Sequence, residues 1–152
     1  PVNSKLPFPV YFDSAGCALP ANPSSMVTDI FMHDRARRVI AVVDAKYYAA
    51  TKASDSPRWK DIVKQLFYDQ AIETLSLNAS IKNIFVFPGN EGNMKKVAVR
   101  RRDVDKQGTV SFVDKFKPIY CYYVDPLAVI ESYTKNKKMA EFSVTLLQSE
   151  SK

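Results

Sequence analysis

The feature that most constrains this chain is the run Val39-Ile40-Ala41-Val42-Val43, which ends abruptly in Asp44-Ala45-Lys46. Almost wholly apolar and mostly β-branched, the run has no polar face to offer water and reads as a strand buried on both sides of a sheet. Burying an unpaired charge is costly, so the carboxylate and ammonium that close it belong at the strand's end. Residues i and i+2 of a strand share a face, which sets Asp44 and Lys46 side by side. Upstream, Val27–Met32 is a short apolar strand with one acid inside it, Asp29, and His33-Asp34-Arg35-Ala36-Arg37 is a polar turn. The second strand is expected over Arg38–Tyr48, and a hairpin of this kind brings Asp29 next to Asp44. Two carboxylates and a lysine at one sheet edge suit a hard divalent cation and an activated water. An Asp-x-Lys triplet taken alone is equally what an exposed ion pair at a strand end looks like.

The full pattern is narrower. Thr28-Asp29-Ile30 is followed, fifteen positions after Asp29, by a β-branched run closing on Asp44-Ala45-Lys46. This resembles the PD-(D/E)XK nuclease superfamily, whose signature is an acid after proline or a small residue and then (Asp/Glu)-x-Lys on the next strand. Thr28 stands where the family often has proline. The resemblance implies an α/β fold with a restriction-endonuclease-like core, a mixed central β-sheet flanked by helices. It implies that Asp29 and Asp44, helped by the Ala45 carbonyl, bind Mg²⁺, with Mn²⁺ as a substitute. It further implies that Lys46 orients or deprotonates the water that attacks a phosphodiester bond of double-stranded DNA.

Arg58–Leu77 is the clearest helix signal, with Ser56 as its N-cap and Pro57 at a favoured first position. Trp59, Ile62, Val63, Leu66, Phe67, Ala71 and Leu75 recur at helical spacing as the expected buried stripe. Asp61, Gln65, Tyr68 and Asp69 lie along another side, while Lys60 and Lys64, one turn apart, can point together to solvent. Polar residues so spaced also describe a plain solvated face. In the superfamily, however, the helix after the lysine-bearing strand often carries a glutamine and a tyrosine facing the site. Asp44-Ala45-Lys46-Tyr47-Tyr48 followed by Asp61-Ile62-x-Lys64-Gln65-x-x-Tyr68 is most similar to the nuclease subunits of McrBC-like restriction systems, the LlaJI type among them. RecB-like nucleases space the last pair one residue longer. The likeness implies that Gln65 orients the water, the lysine or a phosphate oxygen, and that Lys60, Lys64 and Tyr68 are candidate DNA contacts. It also implies an NTPase subunit as partner; the small size of the domain places DNA recognition in another domain or subunit, and a double-strand cut, which usually needs two active sites, would call for a homodimer. The same core serves Holliday-junction resolvases and transposon-end nucleases. A non-cleaving DNA-binding or assembly module is the alternative from another class, against which Asp29, Asp44 and Lys46 stand together.

Around this centre, residues 1–25 form a proline-rich arm with five prolines, in which Phe8–Phe12 is either an edge strand or an aromatic arm on the core. No acid-bearing helix precedes the first strand and the chain opens at Pro1, as expected of a piece of a larger protein. Tyr47–Pro57 is a loop near the proposed metal. Ile81–Phe87 reads as a strand ended by the turn Pro88-Gly89-Asn90. Lys95–Arg102, Thr109–Phe116 and Pro118–Val124 read as further strands, with a charged turn at Val104–Gly108. Arg100, Arg101 and Arg102, with Lys95 and Lys96, could contact phosphates or simply dress an exposed edge. Asp125 caps a short helix with Pro126 at its first position. Phe142–Leu147 is taken as a last strand, and the polar end from Gln148 as frayed.

At 152 residues the chain is one domain with room for a core. Its net charge of +6 favours a polyanionic partner, though a merely basic protein would look the same. Cys17 and Cys121 form no CxxC pair, so no zinc or redox motif is proposed and reduced thiols in the cytoplasm are expected. There is no run of membrane length and no signal peptide. His33, the single histidine, sits in the turn and reads as surface, and no Ser-His-Asp or Cys-His pairing exists. Gly89-x-x-Gly92 lacks the lysine and helix of a phosphate loop.

Overall fold

A computed structural model describes residues 2–19, 26–102 and 110–148. The charged turn at Val104–Gly108, several of the arm's prolines and the end of the tail lie outside those residues. The strands are β1 (Tyr11–Phe12), β2 (Ala18–Leu19), β3 (Ile30–Asp34), β4 (Val39–Ala45), β5 (Ser80–Pro88), β6 (Lys96–Val97) and β7 (Ile119–Val124). The α-helices are α1 (Trp59–Glu73), between β4 and β5, then α2 (Pro126–Thr134) and α3 (Ala140–Leu147). The main sheet has the order β3-β4-β5-β7-β6. β4, β5 and β7 run parallel, and antiparallel β3 and β6 close the two edges. This is the expected mixed α/β sheet flanked by helices. Among the described residues no helix is long and apolar enough to cross a membrane.

β4 is buried on both faces, as its composition requires. Ile40 and Val42 pack under α1 with Tyr68, Ala71 and Ile72. Ala41 and Val43, with Ile84 and Val86 of β5, pack against Leu146 of α3. α1 is the crossover that two parallel strands need. The β3–β4 register runs from Ile30 opposite Val43 to Asp34 opposite Val39. The strand therefore starts later than expected and takes in His33 and Asp34. Its turn is closed by Asp34, which accepts the Arg37 N–H at 2.9 Å, and by Arg38 in the left-handed region at φ 56°.

The helix is real, and Ile62, Leu66, Ala71 and Leu75 of the expected stripe meet the core, but the rest of the stripe and the ends differ from expectation. α1 begins at Trp59 with Arg58 as N-cap, because Ser56 instead donates its hydroxyl to the Ala53 carbonyl in a preceding 3₁₀ turn. It stops at Glu73, and Ser76 and Asn78 follow in the left-handed region. The buried residues of α1 are Gln65, Leu66, Tyr68, Asp69, Ala71 and Ile72. Trp59, Val63 and Phe67 are exposed, at 62%, 45% and 51%. The rotation has a physical cause: Gln65, Tyr68 and Asp69 each find a partner beneath the helix, and buried polar groups are tolerated where they are paired.

Three further expectations change. Phe142–Leu147 lies within helix α3, whose Phe142, Leu146 and Leu147 cover the sheet face opposite α1. Lys82 of β5 reaches under it to donate to the carbonyls of Leu146 and Gln148, closing its C-terminus. Of Lys95–Arg102 only Lys96–Val97 forms a strand on β7, with the Lys95 carbonyl accepting the Cys121 N–H at 2.8 Å, and the described part of Thr109–Phe116 contributes one bridge, Arg100 to Phe112. The arm forms its own two-stranded sheet of β1 and β2, with Phe8, Tyr11 and Phe12 exposed and Leu6 buried in the core. Asp125 caps α2 as expected, accepting the Leu127 N–H at 2.9 Å with Pro126 at the first position.

Candidate active site

Continuing the β3–β4 register one step beyond Ile30 and Val43 sets Asp29 opposite Asp44. Asp29 is held there from three sides. The Tyr68 hydroxyl donates to the Val27 carbonyl at 2.5 Å. Thr28 donates both its N–H (3.3 Å) and its hydroxyl (3.0 Å) to the Asn3 side chain. Asp29 itself accepts the Ala45 N–H at 3.0 Å, so its carboxylate sits over the peptide between Asp44 and Lys46.

Asp44 is 4% exposed and would be a costly buried charge without partners. It has two. Lys64 of α1 donates to Oδ1 at 3.0 Å, and the Lys46 ammonium pairs with Oδ2. The Lys46 ammonium sits directly against Oδ2, so each oxygen of Asp44 meets a lysine ammonium. Lys46 also donates to Asp61 Oδ1 of α1 at 2.7 Å. Its ammonium also lies 5.2 Å above the Phe85 ring. The i, i+2 geometry of a strand thus puts Asp44 and Lys46 on the α1 side of the sheet, where α1 adds one further acid and one further base.

The electrostatics reflect this crowding. Burial works against the Lys46 ammonium, but Asp44 and Asp61 outweigh it and hold its pKa above the ordinary lysine value. Lys64 behaves likewise: burial opposes its charge, and Asp44 more than restores it. Burial would raise Asp61, yet the hydrogen bond from Lys46 leaves its carboxyl below the usual range. Burial, with Lys64 opposing and the Asp29 and Asp44 charges adding to it, raises the Tyr68 phenol. Lys46, Lys64, Asp61 and Tyr68 therefore keep their ordinary charge states at neutral pH.

The structure brings Asp29, Asp44, Ala45 and Lys46 together. Lys64 joins them through Asp44 while remaining half-exposed, and Lys60 is exposed as well. Gln65 does not reach the solvent side of the site. It is fully buried, its amide donates to the Val42 carbonyl at 2.6 Å, and its Oε1 has no donor. Tyr68, expected as a DNA contact, is 3% exposed and has its hydroxyl engaged, so it supports the Asp29 strand instead. Arg100, Arg101 and Arg102 are exposed beyond β6, on the sheet edge opposite β3. Sequence reasoning passed over Asp61 and Asn3. Asp61 stood within the quoted helix pattern one turn before Gln65, whereas nothing local marked Asn3.

Among the described residues no three His, Cys, Asp or Glu side chains converge as a metal centre. The donors that could take a cation are the Asp29 and Asp44 carboxylates and the Ala45 carbonyl, an all-oxygen set of the kind hard divalent ions prefer. They suit one in kind, with Asp44 Oδ2 a buried carboxylate oxygen that among the described residues meets only the Lys46 ammonium.

Known proteins resemble this chain at two levels. The family described as LlaJI restriction endonuclease matches residues 5–124. The Type II restriction enzyme BsuMI component YdjA of Bacillus subtilis (strain 168) is 40% identical over 68 residues, which make up 41% of this chain and 15% of that protein. The match thus spans a small part of that relative's length. No solved structure matches the chain.

Proposed function

This chain belongs to the LlaJI restriction endonuclease family, and from that premise we propose that it is the DNA-cleaving part of a restriction system, an endonuclease that uses Mg²⁺ or Mn²⁺ to hydrolyse phosphodiester bonds. The observation that carries the reading is the meeting of Asp29 and Asp44 across the β3–β4 hairpin, with Lys46 paired to Asp44. A divalent cation on the two carboxylates and the Ala45 carbonyl would supply the Lewis-acid charge that this hydrolysis needs. Lys46 orients the attacking water and opposes negative charge as it gathers on the phosphate. Lys64, half-exposed beside the same carboxylate, is suited to the incoming phosphate. Gln65 acts from behind, locking the α1 backbone to β4 two residues before Asp44. The net charge of +6 supports a polyanionic substrate. That the Bacillus relative is named as one component of a restriction enzyme supports a division of labour, with sequence recognition in other subunits.

The test is plasmid cleavage with Mg²⁺, with Mn²⁺ and with excess chelator, for the wild type and Asp44→Asn. Cutting should need the metal, and the variant should lose roughly a thousandfold or more in rate while melting near the wild type. Undiminished cutting in chelator would remove the metal mechanism. Wild-type rates from Asp44→Asn would remove the assignment of this strand.

A further inference from the structure

We propose that Asp61 is the positioning residue for Lys46, fixing its ammonium at the end of β4 independently of Asp44. The proposal rests on the reading of Lys46 as the group that orients the attacking water. Lys46 lies just beyond the last residue of β4, its N–H bound to the Val86 carbonyl at 2.8 Å. That bond holds the backbone only; the side chain beyond it is a flexible four-carbon stem. Two carboxylates flank its ammonium, and they are not equivalent. Asp44 is shared between Lys46 and Lys64, one at each oxygen. Asp61 accepts from Nζ at 2.7 Å, and among the described residues its side chain has no second ion pair.

The placement of Asp61 also suits the task. It sits in the first turn of a 15-residue helix, where a carboxylate is favoured by the helix dipole. Its backbone N–H is itself tied to the Arg58 carbonyl at 2.9 Å. The anchor for Lys46 is thus on a rigid element rather than on a loop. Anything positive that draws on Asp44 Oδ2 competes with Lys46 for that oxygen, but leaves Asp61 in place. A residue with this role touches neither phosphate nor water and acts entirely through the lysine.

The experiment compares Asp61→Asn, which keeps shape and removes charge, with Asp61→Glu, which keeps charge. The first readout is the ¹H–¹⁵N spectrum of lysine ammonium groups, with the Lys46 signal identified by its loss in Lys46→Arg. Wild type and Asp61→Glu should hold a resolved Lys46 ammonium, whereas in Asp61→Asn it should shift and exchange faster with water. The second readout is metal-dependent DNA cleavage. Asp61→Asn should lower kcat roughly ten- to a hundredfold with KM little changed, as expected of a misplaced catalytic group, and Asp61→Glu should recover most of it. An unchanged ammonium signal in Asp61→Asn overturns the proposal. So does a loss shared equally by Asn and Glu variants and matched by a fall in Tm, which would mark a purely structural ion pair. If the wild type does not cut DNA, the nuclease reading fails, and the ammonium spectrum still decides whether Asp61 holds Lys46.

Discussion

At the scale of single residues, the chain buries two carboxylates along α1 and its neighbouring strands and treats them differently. Asp44 has an ammonium at each oxygen. Asp69, 4% exposed, has one, Lys117 at 3.1 Å, and that lysine is shared with Glu73 at 2.6 Å. Burial therefore wins at Asp69, and its pKa stands above the ordinary 3.8 in spite of Lys117. The sign of the consequence is opposite to that of a usual salt-bridged acid. The folded chain holds the Asp69 proton to higher pH than the unfolded chain does, so the stability owed to this group is present at low pH and falls as pH rises through that window. In paired melts of wild type and Asp69→Asn, the Tm difference should move towards the variant as pH is raised from about 4 to 7. A difference moving towards the wild type would mean that the Lys117 pair outweighs burial.

At the scale of the element, α1 joins the site to the core. Its first turns carry Asp61 and Lys64 to the strand end, and its middle ties Gln65 to Val42 and Tyr68 to Val27. Its inner face packs Ala71 and Ile72 on β4 and Leu66 near Phe85 and Phe87. Gln65→Ala would remove the donor from a buried carbonyl and leave a void beneath the helix. The expected loss is roughly 2–4 kcal/mol, or about 5–15 °C in Tm for a domain of this size. It should sit towards the lower end, because the unsatisfied Gln65 Oε1 goes too. Phe67→Ser, on the exposed face, should stay within about 0.5 kcal/mol. If Gln65→Ala melts with the wild type and only slows cleavage, the water-orienting role expected from the sequence is restored.

At the scale of the whole molecule, cooperativity should show at Cys121 on β7, between β5 and β6. Burial pushes its thiol pKa up to about 11. At pH 8 the reactive thiolate is then on the order of one in a thousand, and access is blocked as well. Cys17 is exposed. Alkylation followed by mass spectrometry should modify Cys17 at once. Cys121 should be modified only along the denaturant transition seen by circular dichroism, since its exposure needs the sheet to open. Labelling of Cys121 in native buffer at the Cys17 rate would show instead that the β6 edge opens locally.

The sequence by itself determined the features that short-range periodicity dictates. A β-branched run closing on Asp-x-Lys specifies a strand buried on both faces with its charges at the end. The alternation of a strand sets Asp44 beside Lys46, and a hairpin of that length sets Asp29 opposite Asp44. Asp125-Pro126 marks a helix start through bonds made within two residues. Only the tertiary structure decided which side of α1 turns inward, and with it the fates of Gln65, Tyr68, Asp61 and Lys64. Helical spacing shows which residues share a side but not which side meets a partner. Those partners stand far off in sequence, Val42 for Gln65 and Val27 for Tyr68. The apolar run from Phe142 to Leu147 suits strand or helix equally by composition. It became a helix against the face of Ala41, Val43, Ile84 and Val86, with Lys82 beneath to donate to its last carbonyls.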